Sequence, residues 1–133
     1  MNPMASDLQQ PTVVVRSEVP ELWKLPDSLN EFVLTGDEEM VMEILTLFQQ
    51  DSAERLRELN LAVANHDRDR VRKQAHTLKG AALQVGAMSM AALCLEIERQ
   101  VICGEDARLV ELGCQVWECF DQTCRVMFAA NPK

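Results

Sequence analysis

From about residue 27 to residue 128 the apolar positions recur at spacings of three and four, and no stretch pairs a period of two with hairpin turn chemistry. The pattern therefore predicts helices throughout. Pro26-Asp27-Ser28 opens a short helix carrying Leu29, Phe32 and Val33, which ends near Thr35-Gly36. Asp37 is placed to cap a long second helix with the stripe Val41, Leu45, Phe48, Leu56, Leu59 and Val63. Only Ser52 interrupts that stripe, so one continuous helix is expected to about Asn65. The segment "NHDRD" makes the next turn, and Asp67 or Asp69 caps a third helix running to about Val85 or Gly86. Ser89 is placed to cap a fourth, with Met90, Leu93, Cys94, Ile97 and Val101 on one face and Gly104 past its end. Asp106 opens a fifth, turning Leu109, Leu112, Val116, Phe120, Thr123 and Met127 inward as far as Asn131-Pro132. Four long amphipathic helices on short connections bury their stripes most simply as an antiparallel four-helix bundle, so the expected fold is all-α, with the short N-terminal helix closing one end. The bundle domain is expected over 21–131. Residues 1–20, with three prolines and one short "VVV" run, read as a flexible leader that docks through Leu22 and Trp23.

Composition narrows the function classes. A chain of 133 residues, 47% hydrophobic and 26% charged, is one globular domain able to bury its own core. A formal net charge of −8 disfavours nucleic acid or an anionic membrane surface as a partner. No apolar run approaches the roughly 20 residues that span a bilayer, and the N-terminus lacks the basic-then-apolar pattern of a secretory signal. Five cysteines without C-x-x-C spacing read as free thiols of a reducing compartment, so a cytoplasmic monomer is expected. The opening methionine and leader suggest a free-standing chain. No metal site is expected: His66 sits in the "NHDRD" turn beside Asp67 and Asp69 with no further histidine or cysteine to complete a ligand set. Cys114, Cys119 and Cys124 are five apart, so successive thiols turn about 140° round the helix and do not converge.

The remaining candidate is His76, in "AHTLKG". On the third helix Val71, Ala75, Leu78, Ala82 and Val85 form the buried stripe, which leaves His76 about 140° away on the solvent side. Arg72 and Lys73 lie one turn before it, and Lys79 and Gly80 one turn after. Five of the thirteen basic residues (Arg68, Arg70, Arg72, Lys73 and Lys79) fall in this stretch of an acidic chain. Cations so placed favour the uncharged, nucleophilic ring and would stabilise negative charge put on it. An exposed mid-helix glycine costs on the order of 1 kcal/mol relative to alanine, and here Gly80 removes the side chain that would shade the imidazole. These are the requirements of a phosphoryl acceptor.

The stretch "AHTLKGAALQVGAMSMAALCLEIE", residues 75 to 98, resembles the signature of histidine-containing phosphotransfer (HPt) domains. That pattern is H-x-L-K-G, then G-A six residues after the glycine, then L-x-x-x-C-x-x-(I/L)-E; His76, Leu78, Lys79, Gly80, Gly86 and Ala87 match, with Cys94 and Glu96 to Glu98 in the expected region. The resemblance covers roughly residues 27 to 128. It implies a four-helix bundle that takes a phosphoryl group from a receiver-domain aspartyl phosphate and passes it to another receiver. His76 would be the acceptor, Lys79 the cation supporting the phosphoryl oxygens and Gly80 the cleared position. Receivers of response regulators or of hybrid sensor histidine kinases would dock over Arg72, Lys73, Leu83, Gln84 and Ala87. The chain needs no cofactor of its own, since the receiver would supply the Mg²⁺. Thr77 follows the histidine where kinases that phosphorylate themselves from ATP typically carry an acidic residue, so a carrier and not a kinase is implied. The family often has small hydroxyl residues after the glycine, where this chain has Ala81 and Ala82. The competing expectation is a helical module that binds a signalling partner through the same face without being phosphorylated.

Overall fold

The computed structural model of the chain describes residues 21–129, and among these it contains five helices and no strand. They are α1 (Asp27–Leu34), α2 (Glu38–Ala64), α3 (Arg68–Val85), α4 (Met88–Cys103) and α5 (Asp106–Ala129). Each long helix packs against the next, and α5 returns to α2, while α1 packs on α2. With connections of two or three residues between them, α2 to α5 run alternately up and down in a closed antiparallel bundle. The leader expected over residues 1–20 lies outside the described residues.

The expected stripes are the core. On α3, Val71, Ala75, Leu78, Ala82 and Val85 are all buried, as are the predicted inward positions of α2 and α5, with Ser52 and Thr123 buried among them. Thr123 satisfies its hydroxyl by donating to the Cys119 carbonyl one turn back, at 2.7 Å. Leu93 is only half-buried, and Phe32 is exposed because α1 rests on a single neighbour and has one narrow buried face. The α2 and α3 starts are as the acidic residues predict: the Asp37 carboxylate accepts from the Met40 N–H and the Asp67 carboxylate from the Arg70 N–H, both at 3.2 Å.

The fourth helix begins differently. It starts at Met88 behind Ala87, which offers no side-chain cap, and Ser89 falls in its first turn with its backbone N–H donating to the Glu21 carbonyl at 2.9 Å. The cause is the segment before α1. Residues 21–25 lie across the α3–α4 turn, where the Trp23 indole N–H donates to the Val85 carbonyl (2.8 Å) and the Lys24 N–H to the Gly86 carbonyl (3.2 Å). Trp23 and Leu25 pack against the core, so Leu25 takes the place expected of Leu22. This incoming strand of chain supplies the partners that a capping side chain would otherwise supply.

Gly86 makes that crossing possible. It ends α3 in the left-handed conformation (φ 86°), with the Ala87 N–H returning to the Ala82 carbonyl at 2.8 Å. A Cβ on it would run into the Lys24 carbonyl. Gly86→Ala is therefore expected to lower unfolding stability by about 2 kcal/mol or more, since it adds a backbone clash to left-handed strain. Urea denaturation measures this, and a loss of only a few tenths would show that residues 21–25 contribute little to the turn.

Candidate functional site

α3 carries His76 on the side opposite its buried stripe, with the imidazole side chain 67% exposed. The ring is nevertheless held. Its Nδ1 lies 2.9 Å from Oε2 of Glu98, which the antiparallel course of α4 brings alongside. The other oxygen of that carboxylate, Oε1, lies 2.7 Å from the Lys79 ammonium. One carboxylate thus ties two residues of α3, three apart on one face, to a single point on α4. A carboxylate only accepts, so Nδ1 carries a proton and donates, and in the neutral ring the bare nitrogen is then Nε2, the one turned away from Glu98.

Burial pushes the Glu98 carboxyl upward, but the hydrogen bonds from Lys79 and then His76, with their charges, outweigh it and hold the group below its ordinary value. It is ionised at neutral pH. One turn earlier on α4, Cys94 is buried beneath this pair, and burial followed by the Glu98 charge pushes its thiol up to about 12. Cys94 is a packing residue there, not a nucleophile.

The positive face expected around His76 is largely internally paired. Arg68 reaches Asp106 (2.7 Å) and the Val101 and Gly104 carbonyls at the α4–α5 turn, well away from His76. Arg70 pairs with Glu58 at 3.1 Å, and Arg72 and Lys73 share Asp69 at 3.1 and 3.4 Å. Those two partners hold the Asp69 carboxyl below its usual value, the Arg72 hydrogen bond first. The ring's ionised neighbour is therefore a carboxylate, where the sequence led us to expect cations. Lys79 is likewise committed to Glu98 and does not stand free in solvent.

Gly80 lies on the exposed side next to the ring, and a Cβ there would meet nothing within 4 Å. Nothing inside this protein requires a glycine at that position. Arg72, Lys73, Leu83 and Gln84 are exposed, as a docking surface needs, but Ala87 is fully buried at the start of α4 and offers a partner nothing. Ala82 belongs to the core, while Ala81 lines a groove with Ile44, Leu47 and Gln84. His66 stays in its turn, at a left-handed φ of 59° and with Nδ1 3.0 Å from Asp106 Oδ2. The three cysteines of α5 separate into exposed Cys114, half-buried Cys119 and buried Cys124, as their spacing requires.

Sequence reasoning missed the role of Glu98. Its signal was present, as the acidic residue closing the "C-x-x-I-E" end of the motif, but only the pairing of α3 with α4 shows which carboxylate faces the histidine. A carboxyl whose value is lowered by folding adds stability that is complete above its unfolded value and is lost as pH falls through its folded one. The Glu98 contribution should thus hold steady through neutral pH and fade only below the ordinary carboxylate range. Urea denaturation followed from about pH 7 to about pH 3 should show a smaller acid loss in Glu98→Gln than in the wild type. Identical pH profiles for the two would show that the pair does not stabilise the bundle.

A family model described as the Hpt domain matches residues 43–124, which include all of α3 and α4. Among solved structures the chain is similar to histidine-containing phosphotransfer protein B from Pseudomonas aeruginosa PAO1. The two share 30% sequence identity over 77% of this chain and 89% of that one, with a TM-score of 0.67. No curated protein matches the chain. With its helical bundle and an exposed histidine inside the matched segment, the chain belongs to the Hpt domain family, the histidine phosphotransfer proteins of phosphorelays.

Proposed function

We propose that His76 is the phosphoryl acceptor and that Nε2 is the atom that takes the group. The observation that carries this reading is the Nδ1–Glu98 hydrogen bond, which engages Nδ1 and makes Nε2 the nucleophilic nitrogen of the neutral ring, on a side chain that is 67% exposed. In transfer from a receiver, the Nε2 lone pair attacks phosphorus in line as the P–O bond to the aspartate breaks. The aspartate leaves as a free carboxylate, and the ring, still protonated at Nδ1, becomes cationic. Glu98 stabilises that developing charge from 2.9 Å away. Passing the group on reverses each step, with the next aspartate as nucleophile.

Lys79 acts in two ways in this scheme. It holds Glu98 in its ionised form, and an ammonium has three donors, so it can keep Glu98 and offer another N–H to a phosphoryl oxygen. Gly80 leaves the approach to the ring open. Arg72, Lys73, Leu83 and Gln84 border the receiver, and the exposed ion pairs among them are weak enough to be exchanged for contacts with a partner. The partners are receiver domains of response regulators or hybrid kinases, and the divalent cation used in transfer is the receiver's. The chain is a carrier and draws no phosphoryl group from ATP. No helix among the described residues is long and apolar enough to cross a membrane, in keeping with work in the cytoplasm.

Incubation with a phosphorylated receiver tests the assignment. Wild type should acquire an acid-labile, base-stable label and His76→Gln none; equal labelling of the two would remove His76 from the reaction. Gly80→Gln should fold normally yet transfer about tenfold or more slowly, because shading the ring disturbs the approach geometry. A wild-type rate in that folded variant would end the clearance role.

A further inference from the structure

The face of the bundle turned away from His76 carries a feature that phosphotransfer leaves unused. His76 and Glu98 mark the seam between α3 and α4, so in a closed four-helix arrangement the opposite seam is the one between α2 and α5. There the surface sinks into an open groove of about 560 Å³ lined by Arg57, Asn60, Leu61, Ala64 and Trp117. The depression continues along α5 past Gly113 and Cys114 to Glu118.

Its walls are not ordinary helix surface. Arg57, Asn60, Leu61 and Ala64 follow the i, i+3, i+4, i+7 spacing of a buried stripe, yet they lie outside the core stripe of α2. On α5, Val110, Gly113, Cys114 and Trp117 repeat that spacing. Leu61 is 58% exposed, Val110 51% and Trp117 37%. Each of these two helices thus has a second stripe beside its core stripe, and the two stripes adjoin, with Leu61 and Ala64 of α2 and Trp117 of α5 as the apolar lining of the groove. At the rims stand two ionised side chains, Arg57 on α2 and Glu118 on α5. Neither has a hydrogen bond or ion pair among the described residues, although most of the chain's cations are paired.

We propose that this groove is a self-association face, covered by the same groove of a second copy of the chain. Charge complementarity selects this occupant. A Cβ on Gly113 would run into the Asn60 side chain, so α2 and α5 touch there, and Arg57 and Glu118 stand at nearly the same height on the two walls. A two-fold axis parallel to the helices lays α2 of each copy over α5 of the other at that height. Arg57 then faces Glu118 of the second copy, and symmetry makes the pair twice. The same operation buries Leu61 and Trp117 of both copies. Both His76 faces point outward, so two receivers can be engaged at once. The −8 charge on each chain opposes association in dilute salt, which makes physiological ionic strength the condition to use.

Sedimentation equilibrium over a concentration series at about 0.15 M salt decides it. The wild type should pass from monomer to dimer, and Leu61→Glu and Trp117→Glu should each remain monomeric with unchanged circular dichroism. Arg57→Glu or Glu118→Arg alone should weaken dimerisation about tenfold or more, and the double reversal should recover most of the loss. Phosphoryl uptake by Leu61→Glu should equal that of the wild type, which separates this face from the His76 face. A wild type that stays monomeric throughout leaves the groove to another occupant and overturns the proposal. Dimers that persist in both glutamate variants overturn it too.

Discussion

Everything the site does depends on one carboxylate serving two masters. Glu98 accepts from His76 Nδ1 with one oxygen and holds the Lys79 ammonium with the other. A solvent-exposed imidazole would otherwise sample several rotamers and both tautomers, and few of those states present a bare nitrogen in a fixed direction. The carboxylate selects among them from a neighbouring helix, and so the reactive geometry exists only while α3 and α4 keep their register. A slip of one residue would carry Glu98 roughly 100° around α4 and away from the ring. The α3–α4 turn is therefore part of the site's support, although none of it touches the histidine. Trp23 on Val85, Lys24 on Gly86 and Glu21 on Ser89 fasten both sides of that turn to the chain entering the bundle.

The charges around the site form a set of close pairs within a strongly acidic molecule. Exposed pairs of this kind contribute on the order of 0–1 kcal/mol each, so their value lies less in holding the fold than in keeping the basic side chains extended and ready. Arg72 and Lys73, both leaning on Asp69, can turn toward an incoming acidic surface with little loss. Lys79 differs because it and its carboxylate partner are mostly buried. Taking away either member would leave a poorly solvated charge, so the triad behaves as one unit.

Much of this was legible in the residue order. The helical periods located five helices, and the single-face stripes of α2, α3 and α5 were the core positions found. The wheel of α3 alone put His76 in solvent. What sequence could not supply were the relations between helices. Ser89 looked like a cap because no local pattern reveals that residues 21–25 return to the α3–α4 turn and satisfy its backbone. Ala87 looked available to a partner for the same reason, since its burial comes from the packing of neighbouring helices. The basic stretch looked like a positive field because Asp106 and Glu58, which neutralise Arg68 and Arg70, are remote in the chain and adjacent only in the bundle. Glu98 escaped notice as an anchor on the same ground.

Gly80 has a consequence for the evolution of the molecule in the laboratory. Because a Cβ there meets no atom of this chain, an alanine would fit and would firm the helix by about 1 kcal/mol. A campaign that rewarded only resistance to heat would find that change early and would then favour longer helix formers at the same place. Each such step would yield a tougher bundle with a more crowded imidazole. Thermal endurance and signalling competence thus pull this one residue in opposite directions.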